Sequence, residues 1–285
     1  MIRLCAFSDE AGSSLQAQID ALHRNGMSLM EIRMVDGENI SNISLEKAAQ
    51  IAKTLKENNI KVWSIGSPLG KVHLNEEFQF ADTLAQCEHL CKLANILGAD
   101  KIRMFSFYDA YDKKAEVIDY LKQLVALANS YGVQLCHENE KSIYGDVLSR
   151  VQELMAEVPG LKFVYDPANY LQCGESAADT LPALHSSTEY FHIKDVISET
   201  QQLVPAGYGD GNIAGLIEKI TDDKVLTLEP HLKVFAGYSS FDAEEMNNKF
   251  HYASNTEAFD AAVAALKELL NKQGYIERNG GFVKA

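Results

Sequence analysis

Gln134-Leu135-Cys136-His137-Glu138-Asn139-Glu140 begins as a short apolar run with β character and ends in four consecutive polar side chains. The same change recurs at Tyr165-Asp166-Pro167-Ala168-Asn169, at Phe191-His192-Ile193-Lys194-Asp195 and at Leu228-Glu229-Pro230-His231. Strands that turn polar at their C-terminal ends are how a (β/α)8 barrel builds its active-site face. Any one of these carboxylates could be a helix N-cap or a solvated loop charge. Four in succession point to a shared site.

Outward from this stretch, β-type runs at residues 2–7, 29–35, 61–65, 101–107, 134–139, 162–165, 190–193 and 225–228 alternate with amphipathic helical stretches. These fall at residues 15–25, 45–58, 78–97, 114–131, 145–158, 213–221 and 256–271, with a weakly marked sixth helix within 177–185. Gly26, Gly98 and Gly132 follow helical runs where a left-handed C-cap is wanted, each just ahead of a strand. Eight β/α units in 285 residues predict an α/β chain folded as one (β/α)8 TIM barrel domain, residues 1–285. A dinucleotide-binding sheet would need a glycine fingerprint after its first strand, and Ser8-Asp9-Glu10-Ala11-Gly12 stands there instead.

Composition narrows the function classes. With 46% hydrophobic and 23% charged residues the chain reads as an ordinary globular protein, and no apolar run approaches the roughly 18 residues of a membrane span. The start is too short in apolar residues for a signal peptide, and Cys5, Cys87, Cys91, Cys136 and Cys173 form no secreted framework, so a cytoplasmic protein with buried thiols is expected. A net charge of −14 disfavours nucleic acid and favours a small-molecule partner.

Neighbouring barrel strands lie about 4.8 Å apart, so groups from strands five to eight can converge above the mouth. Carboxylates crowded there would repel one another unless a divalent cation joined them. Oxygen and imidazole donors suit Mn²⁺, Mg²⁺, Co²⁺ or Zn²⁺. The expected ligands are Glu138, Asp166, His192 and Glu229, with Glu140 the alternative on strand five because residues i and i+2 face the same way. Glu31, Arg33, Arg103 and Lys194 are expected to hold substrate, the alternative for Glu31 and Arg33 being an ion pair that closes the barrel interior. The glycine-rich residues 207–212 could cradle a phosphate with their amides or be a plain flexible loop.

In their order, His-Glu-Asn at 137–139, Asp-Pro-x-Asn at 166–169, His-x-Lys-Asp at 192–195 and Leu-Glu-Pro at 228–230 resemble the xylose-isomerase-like barrel superfamily of sugar (phosphate) isomerases and epimerases. The resemblance spans nearly the whole chain. It implies a ketose 3-epimerase-like metal site at Glu138, Asp166, His192 and Glu229, whose two glutamates flank the substrate carbon as an acid/base pair. The family often has a histidine one turn after the strand-six aspartate; Asn169, a further expected substrate contact, can hydrogen-bond a hydroxyl there but cannot shuttle protons. The implied activity is isomerisation or epimerisation of a sugar or sugar phosphate through an enediolate. The nearest rival is a dehydratase (lyase) acting on inosose-type substrates, followed by a non-catalytic sugar binder. The superfamily also contains nucleases that act at abasic sites, which 40 acidic against 26 basic residues disfavour.

Residues 231–255 carry Phe235, Tyr238, Phe241, Phe250 and Tyr252, more aromatics than an exposed loop ordinarily holds. A homo-oligomer contact that also shields the site from water is expected of them. Sedimentation at micromolar protein concentration should therefore show a species larger than the monomer; a clean monomer leaves only a lid or a segment folded back on its own barrel.

Overall fold

The computed structural model describes residues 1–238 and 245–285. Eight parallel strands close into a barrel, here numbered β1 (Ile2–Ala6), β2 (Leu29–Ile32), β3 (Lys61–Gly66), β4 (Lys101–Met104), β5 (Gln134–Glu138), β6 (Lys162–Tyr165), β7 (Tyr190–Ile193) and β8 (Lys224–Leu228). Each pairs with its sequence neighbour, and β8 returns to β1 over Ile2↔Lys224 to Ala6↔Leu228. The expected architecture is therefore the observed one.

Around the barrel lie α1 (Leu15–Arg24), α2 (Leu45–Glu57), α3 (Phe80–Leu97), α4 (Lys114–Ser130), α5 (Leu148–Glu157), α6 (Pro167–Gln172), α7 (Ala177–Leu184), α8 (Ile213–Glu218) and α9 (Asn255–Lys272). Serine side chains cap α1, α2 and α9, where Ser14, Ser44 and Ser254 accept from the amides three residues on. Gly26, Gly98 and Gly132 take positive φ values of 66°, 72° and 70°, in the places where left-handed C-caps were expected.

Two of the apolar clusters among the described residues hold the barrel together. The larger lies between strands and helices and draws on the buried faces of both, for example Leu4, Ile32, Val62, Leu90 and Leu121. The smaller fills the barrel interior with Cys5, Leu29, Cys136, Val164, Tyr190 and Val225, against which Trp63 packs. Side chains alternate along a strand, so the inward row of this layer continues two residues further at Phe7, Glu31, Glu138, Asp166, His192 and Thr227. The polar mouth is thus an extension of the interior row, raised one step toward the C-terminal ends.

Several elements differ from the sequence expectation. Helix α6 starts directly at Pro167, capped by Asp166, where only a strand end had been read. Short antiparallel ribbons join Met34–Val35 to Glu38–Asn39 and Asp195–Ile197 to Gln202–Val204. A C-terminal hairpin, Tyr275–Arg278 with Gly281–Lys284, meets β1 at Ile2↔Phe282. Polar alternation over short spans gives such ribbons little periodic signal. Of the five cysteines, all but the half-buried Cys173 are buried free thiols.

The glycine-rich loop after β7 is organised from within. Asp195 accepts from the amides of Gly207 (2.8 Å), Gly209 (3.1 Å) and Gly211 (2.9 Å), so the donors considered for a phosphate are taken by the chain's own carboxylate. A Cβ on Gly209 would fall 2.6 Å from the Val196 carbonyl oxygen, which explains the glycine. Asp195→Ala should lower unfolding free energy by about 2–4 kcal/mol, since it strands these amides. Denaturant unfolding measures this, and a loss under about 1 kcal/mol would mean that water serves them equally well.

Candidate metal centre and substrate cavity

Glu138 ends β5, His192 lies within β7, and Asp166 and Glu229 directly follow β6 and β8. One ligand atom from each of the four lies within 4.8 Å of the others, and all four residues are buried. The His192 Nδ1 atom lies 2.8 Å from Glu138 Oε1 and 3.2 Å from Glu229 Oε2, while its Nε2 faces Glu31 Oε2 at 3.2 Å. Asp166 divides its oxygens. Its Oδ1 caps α6 by accepting from the Asn169 amide at 3.1 Å, and Oδ2 faces Lys194 Nζ at 3.0 Å. Cap and site residue are therefore one side chain.

Of the two strand-five candidates, Glu138 joins this group. Glu140 instead faces Lys71 Nζ at 3.1 Å in the wall above it. Glu31, 1% exposed, sits behind His192 and accepts from Tyr190 Oη at 2.8 Å. A carboxylate on one ring nitrogen directs the other toward the centre, the arrangement that commonly orients a metal-ligating histidine. Arg33 does not have Glu31 as its anchor: its Nη1 donates to Glu229 Oε1 (2.8 Å), its Nε to Asp9 Oδ2 (2.9 Å) and its Nη2 to Asp9 Oδ1 (3.1 Å) and Glu10 Oε1 (3.4 Å). Arg103 approaches Glu138 Oε2 with Nε at 3.3 Å.

Asp9, Glu10 and His231 are partners that the sequence reading did not single out. The two acids follow β1 in a short 3-10 turn, the same strand-end signal that marked strands five to eight. Glu10 Oε2 accepts from the His231 amide at 2.8 Å. His231 has a left-handed backbone (φ 48°) and its ring meets those of Phe235 and Tyr238, each at a centroid distance of 5.6 Å.

Burial and charge pull these groups in opposite directions. Burial, aided by Glu138 and Glu229 and opposed by Lys194, pushes Asp166 up to about 7. Burial also works against the Glu229 carboxylate, but Lys194 and His192 outweigh it and hold the group well below its usual range. The His192 imidazole is held well above its ordinary value because Glu138 and Glu31 overcome the effect of burial. Burial drives His231 well below its ordinary value.

The donor set fits a hard divalent cation. Among the described residues, Asp166 Oδ2 and Glu229 Oε2 are buried and accept no hydrogen bond, and three carboxylates with one imidazole form a borderline-hard set with no thiolate. Above it opens a cavity of about 320 Å³, whose wall includes Arg33, Lys71, Arg103, Asn169, Lys194 and Glu229. Phe235 and Tyr238 fold in over the site, and Phe235 stacks 5.0 Å from the Arg33 guanidinium. Phe250 stays 36% exposed beside Tyr208, and Phe241 lies outside the described residues.

The fold and site define a (β/α)8 barrel protein with a buried acidic and histidine cluster at the C-terminal ends of its strands. A model of the xylose isomerase-like TIM barrel family matches residues 19–245, and the chain belongs to that family. It is 22% identical over 270 residues to a 3-dehydroshikimate dehydratase of Bacillus anthracis, a match covering 88% of this chain and 89% of that protein. Among solved structures it is similar to the IOLI protein with a bound zinc atom (TM-score 0.72, 16% identity, 95% of this chain and 98% of the other). It is also similar to D-psicose 3-epimerase in the presence of D-fructose (TM-score 0.71, 17% identity, 93% of this chain and 97% of the other). Among the described residues, no helix is long and apolar enough to cross a membrane.

Arg33 carries the balance of three buried acids. Arg33→Met should cost roughly 3–5 kcal/mol of unfolding free energy near neutral pH, as breaking a buried ion network does. Equilibrium denaturation against wild type checks this; a change below about 1 kcal/mol would place the compensation of Asp9 and Glu10 elsewhere.

Proposed function

We propose that the protein is a divalent-metal-dependent isomerase or epimerase that moves a proton on the carbon beside a carbonyl of a small sugar or sugar phosphate. The carrying observation is that Glu138 and Glu229 approach the same His192 nitrogen from different strands, at 2.8 and 3.2 Å, with Asp166 completing the group. Glu138, Asp166, His192 and Glu229 would hold the cation. When bound, it supplies a Lewis acid that stabilises negative charge developing on a substrate carbonyl oxygen. Glu138 and Glu229, arriving from β5 and β8, then stand on two sides of the substrate carbon, one removing the proton and the other returning it. Lys194, Arg103 and Asn169 hold substrate oxygens, a positioning contribution that can reach several kcal/mol of barrier. Glu31 orients His192, and Arg33 orients Glu229.

A dehydratase on the same site is the second reading. It is favoured by the similarity to the B. anthracis dehydratase over most of both chains and by the Arg33 clamp on Glu229, which leaves that carboxylate a weak proton acceptor. Proton abstraction is common to both readings; loss of a β-hydroxyl separates them. A homo-oligomer in which Tyr208 and Phe250 contribute apolar contact area accompanies either.

Incubation of manganese-loaded protein with a panel of ketoses and inososes in D₂O should incorporate solvent deuterium at the carbon next to the carbonyl. Epimers signal the first reading and a dehydrated, ultraviolet-absorbing enone the second. His192→Ala should stay folded, lose more than about tenfold in manganese affinity and lose the exchange. Wild-type protein that binds the metal yet exchanges no substrate proton would remove both enzymatic readings.

A further inference from the structure

Two side chains in the cavity wall keep hydrogen-bonding capacity that their neighbours leave unused, and their polarities are opposite. Arg103 is only 5% exposed and lines the cavity. Its guanidinium lies on apolar ground, 4.6 Å from the centroid of Phe105 and 5.4 Å from that of Phe7. Its Nε faces Glu138 Oε2 at 3.3 Å without forming a hydrogen bond. A Cβ at Gly66 would fall 2.3 Å from Phe7 Cε1, so glycine there keeps the ring beside the guanidinium in place. Three other cations of the cavity wall face acids at closer range: Arg33 has Asp9 and Glu229, Lys194 has Asp166, and Lys71 has Glu140. A guanidinium has donors only and is costly to bury without an acceptor.

Asn169 presents the complement. It is 1% exposed and lines the same cavity. Its Nδ2 donates to the Asn139 carbonyl at 2.8 Å and to Glu138 Oε1 at 3.4 Å, two acceptors that fix which end of the amide is which. Its Oδ1 is buried and accepts from nothing among the described residues. A ligand that satisfies this wall must offer negative oxygen to Arg103 and a hydroxyl proton to Asn169.

We propose that the substrate is an oxyanion-bearing polyol, whose carboxylate or phosphate group docks on the Arg103 guanidinium while one of its hydroxyls donates to Asn169 Oδ1. This rests on the proton-transfer reading of the site and narrows it, because a neutral ketose gives Arg103 no charged acceptor. Planar guanidinium forks suit either anion.

Calorimetric titration of the manganese-loaded protein tests the proposal with two matched pairs: quinate against its neutral carboxamide, and D-fructose 6-phosphate against D-fructose. At least one anion should bind about ten- to hundredfold more tightly than its neutral partner, the ratio that a charge-assisted hydrogen bond in a water-poor cavity provides. Arg103→Gln should bring that ratio near one, and Arg103→Lys should keep part of it. Preference within the quinate pair assigns a carboxylate, and preference within the fructose pair a phosphate. Equal affinities within both pairs, no binding by either anion, or a preference that survives in Arg103→Gln overturns the proposal. Circular dichroism and metal analysis of each variant precede the titrations. If wild-type protein takes up no manganese, the metal-dependent function fails, yet the anion preference is still measured on the same pairs without metal.

Discussion

Negative charge buried around one point is the constraint to which the rest of the molecule is fitted. Asp9, Glu10, Glu31, Glu138, Asp166 and Glu229 all lie buried at one end of the barrel. Two like charges 4.8 Å apart repel by roughly 3 kcal/mol even at an effective dielectric constant near 20. Each carboxylate is accordingly met by a buried cation or hydrogen-bond donor from another strand or turn. Arg33 serves Asp9, Glu10 and Glu229, Lys194 serves Asp166, Arg103 approaches Glu138, and His192 lies between Glu31, Glu138 and Glu229. Such pairs offset their own desolvation more than they add stability. The stability must come from the apolar layers, above all the extensive cluster between strands and helices.

The alternation of side chains along a strand connects these layers to the chemistry. Leu29, Cys136, Val164 and Tyr190 point into the barrel, and the residues two further on are Glu31, Glu138, Asp166 and His192. A rigid parallel ladder therefore sets their spacing, with His137 paired to Phe163 and Thr227 to His192 in the hydrogen-bonded register. Loops supply what a strand cannot. The residues after β1, β2 and β8 bend so that Asp9, Arg33 and His231 turn back over the mouth, and His231 does so in a backbone region that non-glycine residues seldom occupy.

Most of this was legible where polarity contradicted its surroundings. Glu138, Asp166, His192 and Glu229 stood out because charged residues ended runs that otherwise read as buried strands, and the structure brings these four together. The Asp195 bonds were not legible, since a glycine-rich loop looks the same whether its amides face a ligand or a carboxylate 12 to 16 residues away. Arg33 was expected to hold substrate or to pair with Glu31, whereas its partners Asp9 and Glu229 lie 24 and 196 residues distant, and one sequence holds no trace of such pairings. The aromatics of residues 231–255 looked like one surface. Phe235 and Tyr238 in fact turn inward onto His231, while Phe250 stays partly exposed.

The two glutamates of the centre are not equivalent, and the difference originates outside it. Glu229 receives a hydrogen bond from Arg33 at 2.8 Å, and Lys194 lies 4.0 Å from its other oxygen. Arg33 is itself held by two bonds to Asp9 and by the Phe7 ring 4.3 Å below it, so it cannot withdraw from Glu229 without abandoning Asp9. A carboxylate gripped in this way keeps its charge and takes up a proton reluctantly. Glu138 meets its arginine more loosely, with Arg103 Nε 3.3 Å from Oε2 and no hydrogen bond between them, and its Oε1 is held instead by His192 Nδ1 at 2.8 Å. On the proposed reading, Glu229 is the fixed charge of the pair. A reaction needing one base and one anchored anion suits that asymmetry more closely than one needing two interchangeable bases, so the grip of Arg33 on Glu229 is the feature of this barrel that bears most directly on the choice between elimination and epimerisation.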